Sequence, residues 1–135
     1  MELIEHPDTV IVVAVEDDEI VVVRQARPGA NGRTLELPAG CLEHGETSEQ
    51  AAARELEEEC GLAAGSWREL GSFWAAPAYS TERVHVFEAS ELLQVGSPRL
   101  GEEEDLVAER HPLKGVLSEL SDAGSLGALA LWLGG

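Results

Sequence analysis

"TVIVVAVEDDEIVVVR", Thr9 to Arg24, is the stretch that most narrows what this chain can fold into. Thr9–Val15 and Ile20–Arg24 are dominated by β-branched residues, whose stiff side chains suit a pleated surface. Glu16, Asp17, Asp18 and Glu19 form the polar turn between them, so the stretch reads as two strands in direct succession. Pro28, Gly29, Asn31 and Gly32 then mark a loop. "TLELPAG" starts as a short strand with Leu35 and Leu37 on one face, and Pro38 and Gly40 end it. "CLEHGE" reads as a loop. Beyond it the pattern changes to helix. Thr47 or Ser48 serves as the cap, the alanine-rich "EQAAARELEEEC" carries the body, and Gly61 stands where a glycine ends a helix.

The rest of the chain returns to strands and closes on helices. "WRELGSFWA" and "RVHVFEAS" read as strands joined by the loop "APAYSTE". "LGEEEDL" is an acidic loop and "LVAE" a short strand. "HPLKGVLSELSDAG" predicts a helix with Pro112 near its start, and "SLGALALWLGG" predicts a second. The 135 residues contain no repeat and no linker-like segment, so residues 1–135 read as one domain. Helices packed on a mixed sheet, an α/β fold, is the simplest architecture for this order of elements.

Charge narrows the partners. Nine basic residues against 26 acidic ones give a net charge of −17, which argues against nucleic acid or an anionic membrane surface. A small phosphate ligand stays compatible if metal ions supply the positive charge. No apolar run approaches the ~20 residues of a membrane span. "MELIEHPDTV" lacks the regions of a signal peptide, so the expected location is the cytoplasm. Cys41 and Cys60 make no disulfide framework and are expected to be reduced, buried, small apolar residues. His6, His44, His85 and His111 are scattered without metal-ligand spacing, and His85 is expected to pack or bond within its strand.

The central helix poses the chemical question. Glu55, Glu58 and Glu59 share one face at i, i+3 and i+4, whereas Glu57 points elsewhere, towards solvent. Like charges at these spacings cost roughly 0.2–0.5 kcal/mol per pair in isolated helices. They also crowd the end of the helix that disfavours them. Either the face is simply solvated or it binds a hard cation. Mg²⁺ suits the second reading, because it takes a few carboxylates together with substrate phosphates.

The surrounding residues favour the second reading through a family resemblance. Five residues separate Gly40 from Glu46, and seven more separate Glu46 from Arg54; then come Glu55, Leu56, Glu58, Glu59, Gly61 and Leu62 in fixed order. This resembles the Nudix box, G-x5-E-x7-R-E-U-x-E-E-x-G-U with U aliphatic, at every specified position. The resemblance runs more weakly over most of Val10–Pro112. It implies the Nudix fold, a mixed β-sheet sandwiched between α-helices. It also implies metal-dependent hydrolysis of a nucleoside diphosphate linked to another group, with Mg²⁺ as cofactor and Mn²⁺ as the alternative. By the same resemblance Glu55 and Glu59 are the principal metal ligands, joined by Glu58 and the carbonyl of Ala39. Arg54 and Glu46 form an ion pair that orients the carboxylates. Leu56 and Leu62 anchor the helix, and Gly40 permits a tight turn beside the metal and substrate. A glutamate from the late acidic loop, Glu104 or Glu103 ahead of Glu102, acts as base or ligand.

Residues outside the box point to the substrate. "RQARPG" followed by "LELPAG" resembles the corresponding stretch of ADP-ribose pyrophosphatases, and Pro77 stands at the position associated with that subgroup. "PAYSTERVHVF" is similar to the segment that follows. The resemblance implies ADP-ribose or an ADP-sugar as substrate, AMP and a sugar phosphate as products, and a homodimer. Arg27 then contacts the diphosphate, as a guanidinium suits phosphate oxygens. Glu36 faces the nucleoside, and Tyr79 is the candidate for stacking on the base, ahead of Trp67 and Trp74, which are expected to pack on strands. Ala26 departs from the pattern, where an aromatic residue is common. The rival readings are Nudix hydrolysis of another nucleotide (a dinucleoside polyphosphate, NADH or an oxidised nucleoside triphosphate) and a non-catalytic domain that senses a nucleotide.

Overall fold

A computed structural model describes residues 2–98 and 105–135. Glu102, Glu103 and Glu104 lie outside the described residues. Seven strands form a mixed sheet: β1 (Thr9–Glu16), β2 (Glu19–Arg27), β3 (Gly32–Glu36), β4 (Ala39–Cys41), β5 (Leu62–Trp74), β6 (Arg83–Gln94) and β7 (Leu106–Pro112). The main path runs β3-β2-β1-β6-β5, with β4 added to β1 and β7 added to β2. β1 is parallel to β6 and antiparallel to β2 and β4. Among the described residues, three α-helices complete the fold: α1 (Ser48–Cys60), α2 (Val116–Glu119) and α3 (Ala123–Gly134).

The β-branched runs explain the layering. Successive side chains of a strand face opposite ways. Val10, Val12 and Ala14 of β1, with Val21 and Val23 of β2, pack with Ala51, Ala52, Leu56 and Cys60 of α1. Ile11, Val13, Ile20 and Val22 pack on the other side with Val116 of α2, Leu120 just beyond it, and Ala128 and Leu129 of α3. Both faces are therefore apolar, and the sheet lies between helices as the family resemblance implies. The hairpin is tighter than the expected four-residue turn. Glu16 and Glu19 pair with each other, and Asp17 and Asp18 alone turn the chain, with φ of 52° and 65°. Aspartate tolerates this left-handed conformation better than bulkier residues do.

Three predicted boundaries change. Pro38 and Gly40 do not end the β-structure, because residues 39–41 pair with residues 9–11 as β4. The helix expected over "HPLKGVLSELSDAG" shrinks to Val116–Glu119. His111 and Pro112 instead pair with Ile20 and Glu19, so the β2 edge claims residues that would otherwise start a helix. Asp122 then caps α3 by accepting from the Ser125 N–H at 3.0 Å. Strands β5 and β6 pair along nearly their whole length, well past the expected ends. Cys60 is buried, and burial followed by the nearby Glu59 pushes its thiol up to about 12. Cys41 is exposed, contrary to expectation, because the short β4 carries it at the surface. His85 reaches outside its own strand to Asp8, at 2.9 Å.

An ion-pair network ties β2, β7 and α2 together. Arg24 donates to both oxygens of Glu109, at 2.9 and 3.2 Å. His111 lies between Glu109, at 2.8 Å, and Glu119, at 3.0 Å. Hydrogen bonds to Glu109 and then Glu119 raise His111 above 6.5, and those from Arg24 and then His111 hold Glu109 down at about 2. The stability from His111 is thus complete below pH 6.5 and is lost as pH rises through its raised value. That from Glu109 is complete above pH 4.5 and is lost as pH falls towards about 2. Chemical denaturation across this range is expected to show a decline on the alkaline side that His111→Gln removes.

Candidate active site

The helix α1 begins with a reciprocal cap. Thr47 Oγ1 accepts from the Gln50 N–H at 3.1 Å, and the Gln50 side chain accepts from the Thr47 N–H at 3.0 Å. Its other end stops at Gly61, whose φ of 68° is the left-handed conformation a glycine adopts without strain. Leu56 is wholly buried beneath the helix, and Leu62 is buried just beyond it. These anchors fix which way the glutamates point.

Arg54 is the hub of the site. Its Nε and Nη2 donate to the two oxygens of Glu46 at 2.8 and 3.0 Å. Its Nη1 donates to Glu55 at 2.7 Å and to Glu58 at 3.2 Å. Nη2 also donates to the Cys41 carbonyl at 2.9 Å. One guanidinium thereby joins helix, preceding loop and β4. The hydrogen bonds to Glu46, and then those to Glu55, outweigh partial burial and raise the Arg54 pKa. The bond from Arg54 in turn lowers the Glu46 pKa. Glu55 is buried, Glu58 half-buried, and Glu57 is also half-buried rather than fully solvated.

Gly40 acts through space, not through an unusual φ. A Cβ there would lie 2.2 Å from both Cδ and Oε1 of Glu55. The bare backbone of Gly40 is what lets that carboxylate settle against β4. Next to it, the Ala39 N–H donates to Glu59 at 3.1 Å. Box residues far apart in sequence are therefore neighbours. Their donors are oxygen atoms, which suits a hard divalent cation. Among the described residues, no three acidic, histidine or cysteine side chains form a metal cage.

Arg27 and Glu36 meet each other. Arg27 donates to both Glu36 oxygens at 2.8 and 2.9 Å, and Thr34 donates to one of them at 2.5 Å. Burial favours a neutral Glu36, but the bonds from Arg27 and Thr34 prevail and lower its pKa. A cleft of about 490 Å³ is lined by Arg27, Ala39, Gly40 and Cys41. Tyr79 is exposed and stands outside that lining. Trp67 packs edge-on against Phe87, whereas Trp74 is exposed with Arg83 stacked over it at 4.6 Å. His6, Thr9, Glu82 and Asp122 also line the cleft, and sequence reasoning assigned them no role. Glu82 carried a signal, as the acidic residue of "YSTERV"; Asp122 was hidden inside a predicted helix.

The geometry makes a direct test of Gly40. Gly40→Ala is expected to dislodge Glu55 and cost about 1–3 kcal/mol in chemical denaturation. Gly29, with nothing within 4 Å of an added Cβ, is the control. Gly29→Ala is expected to change stability by no more than about 1 kcal/mol.

Comparison with known proteins agrees with this geometry. The chain is 40% identical to an ADP-ribose pyrophosphatase of Bacillus subtilis over 107 residues, covering 78% of this chain and 58% of that protein. It is 38% identical to an ADP-ribose pyrophosphatase of Mycobacterium tuberculosis over 145 residues, covering 98% of this chain and 70% of the relative. The fold matches a crystal structure of an ADP compounds hydrolase with a TM-score of 0.84 at 27% identity, covering 94% of this chain and 71% of that one. The profile of the NUDIX domain spans residues 5–128. With the Arg54-centred box on its helix and the sheet held between helices, the chain belongs to the NUDIX domain family.

Proposed function

We propose that this chain is a divalent-cation-dependent pyrophosphatase that cleaves ADP-ribose or an ADP-sugar into AMP and a sugar phosphate. The observation that carries the reading is the array at Arg54. It sets Glu55 against Gly40 and Glu59 against Ala39, at the edge of a cleft of about 490 Å³. A cleft of that size suits part of a dinucleotide-like ligand. The similarity to two ADP-ribose pyrophosphatases supports the substrate class.

Each residue has a distinct task. Glu55, Glu58, Glu59 and the Ala39 carbonyl would hold the cation, Mg²⁺ or Mn²⁺. Bound there, it would offset the charge of the pyrophosphate and make water a better nucleophile. Arg54 holds Glu55 and Glu58 in place, and Glu46 holds Arg54. Arg27 leaves part of its hold on Glu36 to meet the diphosphate, and Glu36 is then free to accept from the nucleoside. Water attacks phosphorus, the P–O bond to the bridging oxygen breaks, and the two phosphate products separate.

No helix among the described residues is long and apolar enough to cross a membrane. Leu3, Ile4, Trp74 and Tyr79 are exposed apolar residues on adjoining segments, joined where Ile4 bridges Ser80. We assign that surface to contact between two copies.

AMP release from ADP-ribose with Mg²⁺ tests the reading. Wild type is expected to release AMP faster from ADP-ribose than from NADH, a dinucleoside polyphosphate or an oxidised nucleoside triphosphate. Glu59→Gln is expected to lower kcat by roughly a hundredfold or more. Faster turnover of another nucleotide keeps the chemistry and overturns the substrate. Tight ADP-ribose binding without hydrolysis overturns the enzyme and favours a sensor.

A further inference from the structure

The C-terminal helices leave a groove that the proposed reaction does not use. It encloses about 270 Å³ between α2, with the residues leading into it, and the end of α3. Val116 and Leu129, both buried in the core, form its floor. Leu113 and Trp132 pack against that core and form its walls. Leu117 and Leu133 stand at the rim, 46% and 60% exposed. The indole N–H of Trp132 donates to Glu88, so its polar atom is already satisfied and the groove gains ring carbon.

Among the described residues, Lys114 is the only charged one that lines the groove, and it is the single lysine of the chain. Its long stem lies along apolar surface while the ammonium stays in water. Arg24, Arg27, Arg33, Arg54, Arg68 and Arg110 each lie within salt-bridge distance of a carboxylate. No carboxylate among the described residues pairs with Lys114 in this way. On a chain of net charge −17, an ammonium left without a carboxylate is the exception.

A short apolar chain ending in an anion fits both features. The volume falls just under the ~300–1,000 Å³ of sites for drug-sized ligands. No Ser, Thr, Asn or Gln lines the groove, so a peptide laid there would leave amides without partners. An alkyl chain has none to lose. A second copy of the chain would need roughly 1,000 Å² of contact, more than a groove this short offers. We propose that the groove between α2 and α3 binds a medium-chain carboxylate, with its alkyl chain against Val116, Leu129 and Trp132 and its carboxylate on Lys114. The site is separate from the pyrophosphatase reaction and does not depend on it.

Isothermal calorimetry with octanoate, octanol and octylammonium tests the proposal. The two ions carry the same chain with opposite charge. The field of an acidic protein favours the cation, so a preference for octanoate has to come from a local positive charge. Wild type is expected to bind octanoate most tightly of the three. Lys114→Gln is expected to weaken octanoate roughly fivefold and leave octanol unchanged, the scale of an exposed ion pair. Leu133→Asp and Leu117→Asp each put a carboxylate at the rim and are expected to weaken octanoate roughly tenfold or more. Both positions are exposed, and thermal melting verifies that each variant folds. The proposal is overturned if wild type does not bind octanoate, or if it prefers octanol or octylammonium. Unchanged octanoate affinity in Lys114→Gln, or in both folded leucine variants, overturns it as well.

Discussion

The site depends on one guanidinium. Arg54 faces Glu46, Glu55, Glu58 and the Cys41 carbonyl at once. Without it, a helix carrying Glu55, Glu57, Glu58 and Glu59 near its C-terminal end faces self-repulsion and an unfavourable helix dipole. Arginine suits the task because its planar fork engages several acceptors while staying charged. A lysine offers a point charge and cannot span the same set.

That hub works only because the rest of the fold brings its partners within reach. β1 carries one set of valines towards α1 and another towards α2 and α3, so both helical layers are fixed to the same strand. β4 pairs with the start of β1 and so delivers Ala39, Gly40 and Cys41 to the helix face. Gly40 closes the gap, since any side chain there would occupy the position of the Glu55 carboxylate. The apolar layering and the polar site are thus consequences of one strand alignment.

The layering was legible because its signals are local. The β-branched runs, the alanine-rich helix and Gly61 each announce themselves within a few residues. The partnership of Arg54 with Glu46 was legible through family spacing, which encodes geometry that propensity does not. The misreadings came from long-range pairing. Residues 39–41 and 111–112 became strands because β1 and β2 had open edges, and nothing in "PAGC" or "HPLK" records that. The mutual pairing of Arg27 with Glu36 was hidden for the same reason, since it depends on the register between β2 and β3. Asp122 was missed because a helix start was placed ahead of it and its capping role was masked.

The central claim is that the helix carboxylates form a cation site rather than a solvated acidic face. The most direct measurement is Mn²⁺ binding to the free protein, followed by the loss of the free-ion signal in electron paramagnetic resonance. It needs no substrate. The account predicts binding by wild type, weakened roughly tenfold or more in both Glu55→Gln and Glu59→Gln. Equal binding by all three proteins would contradict it and leave the crowded carboxylates as surface charge.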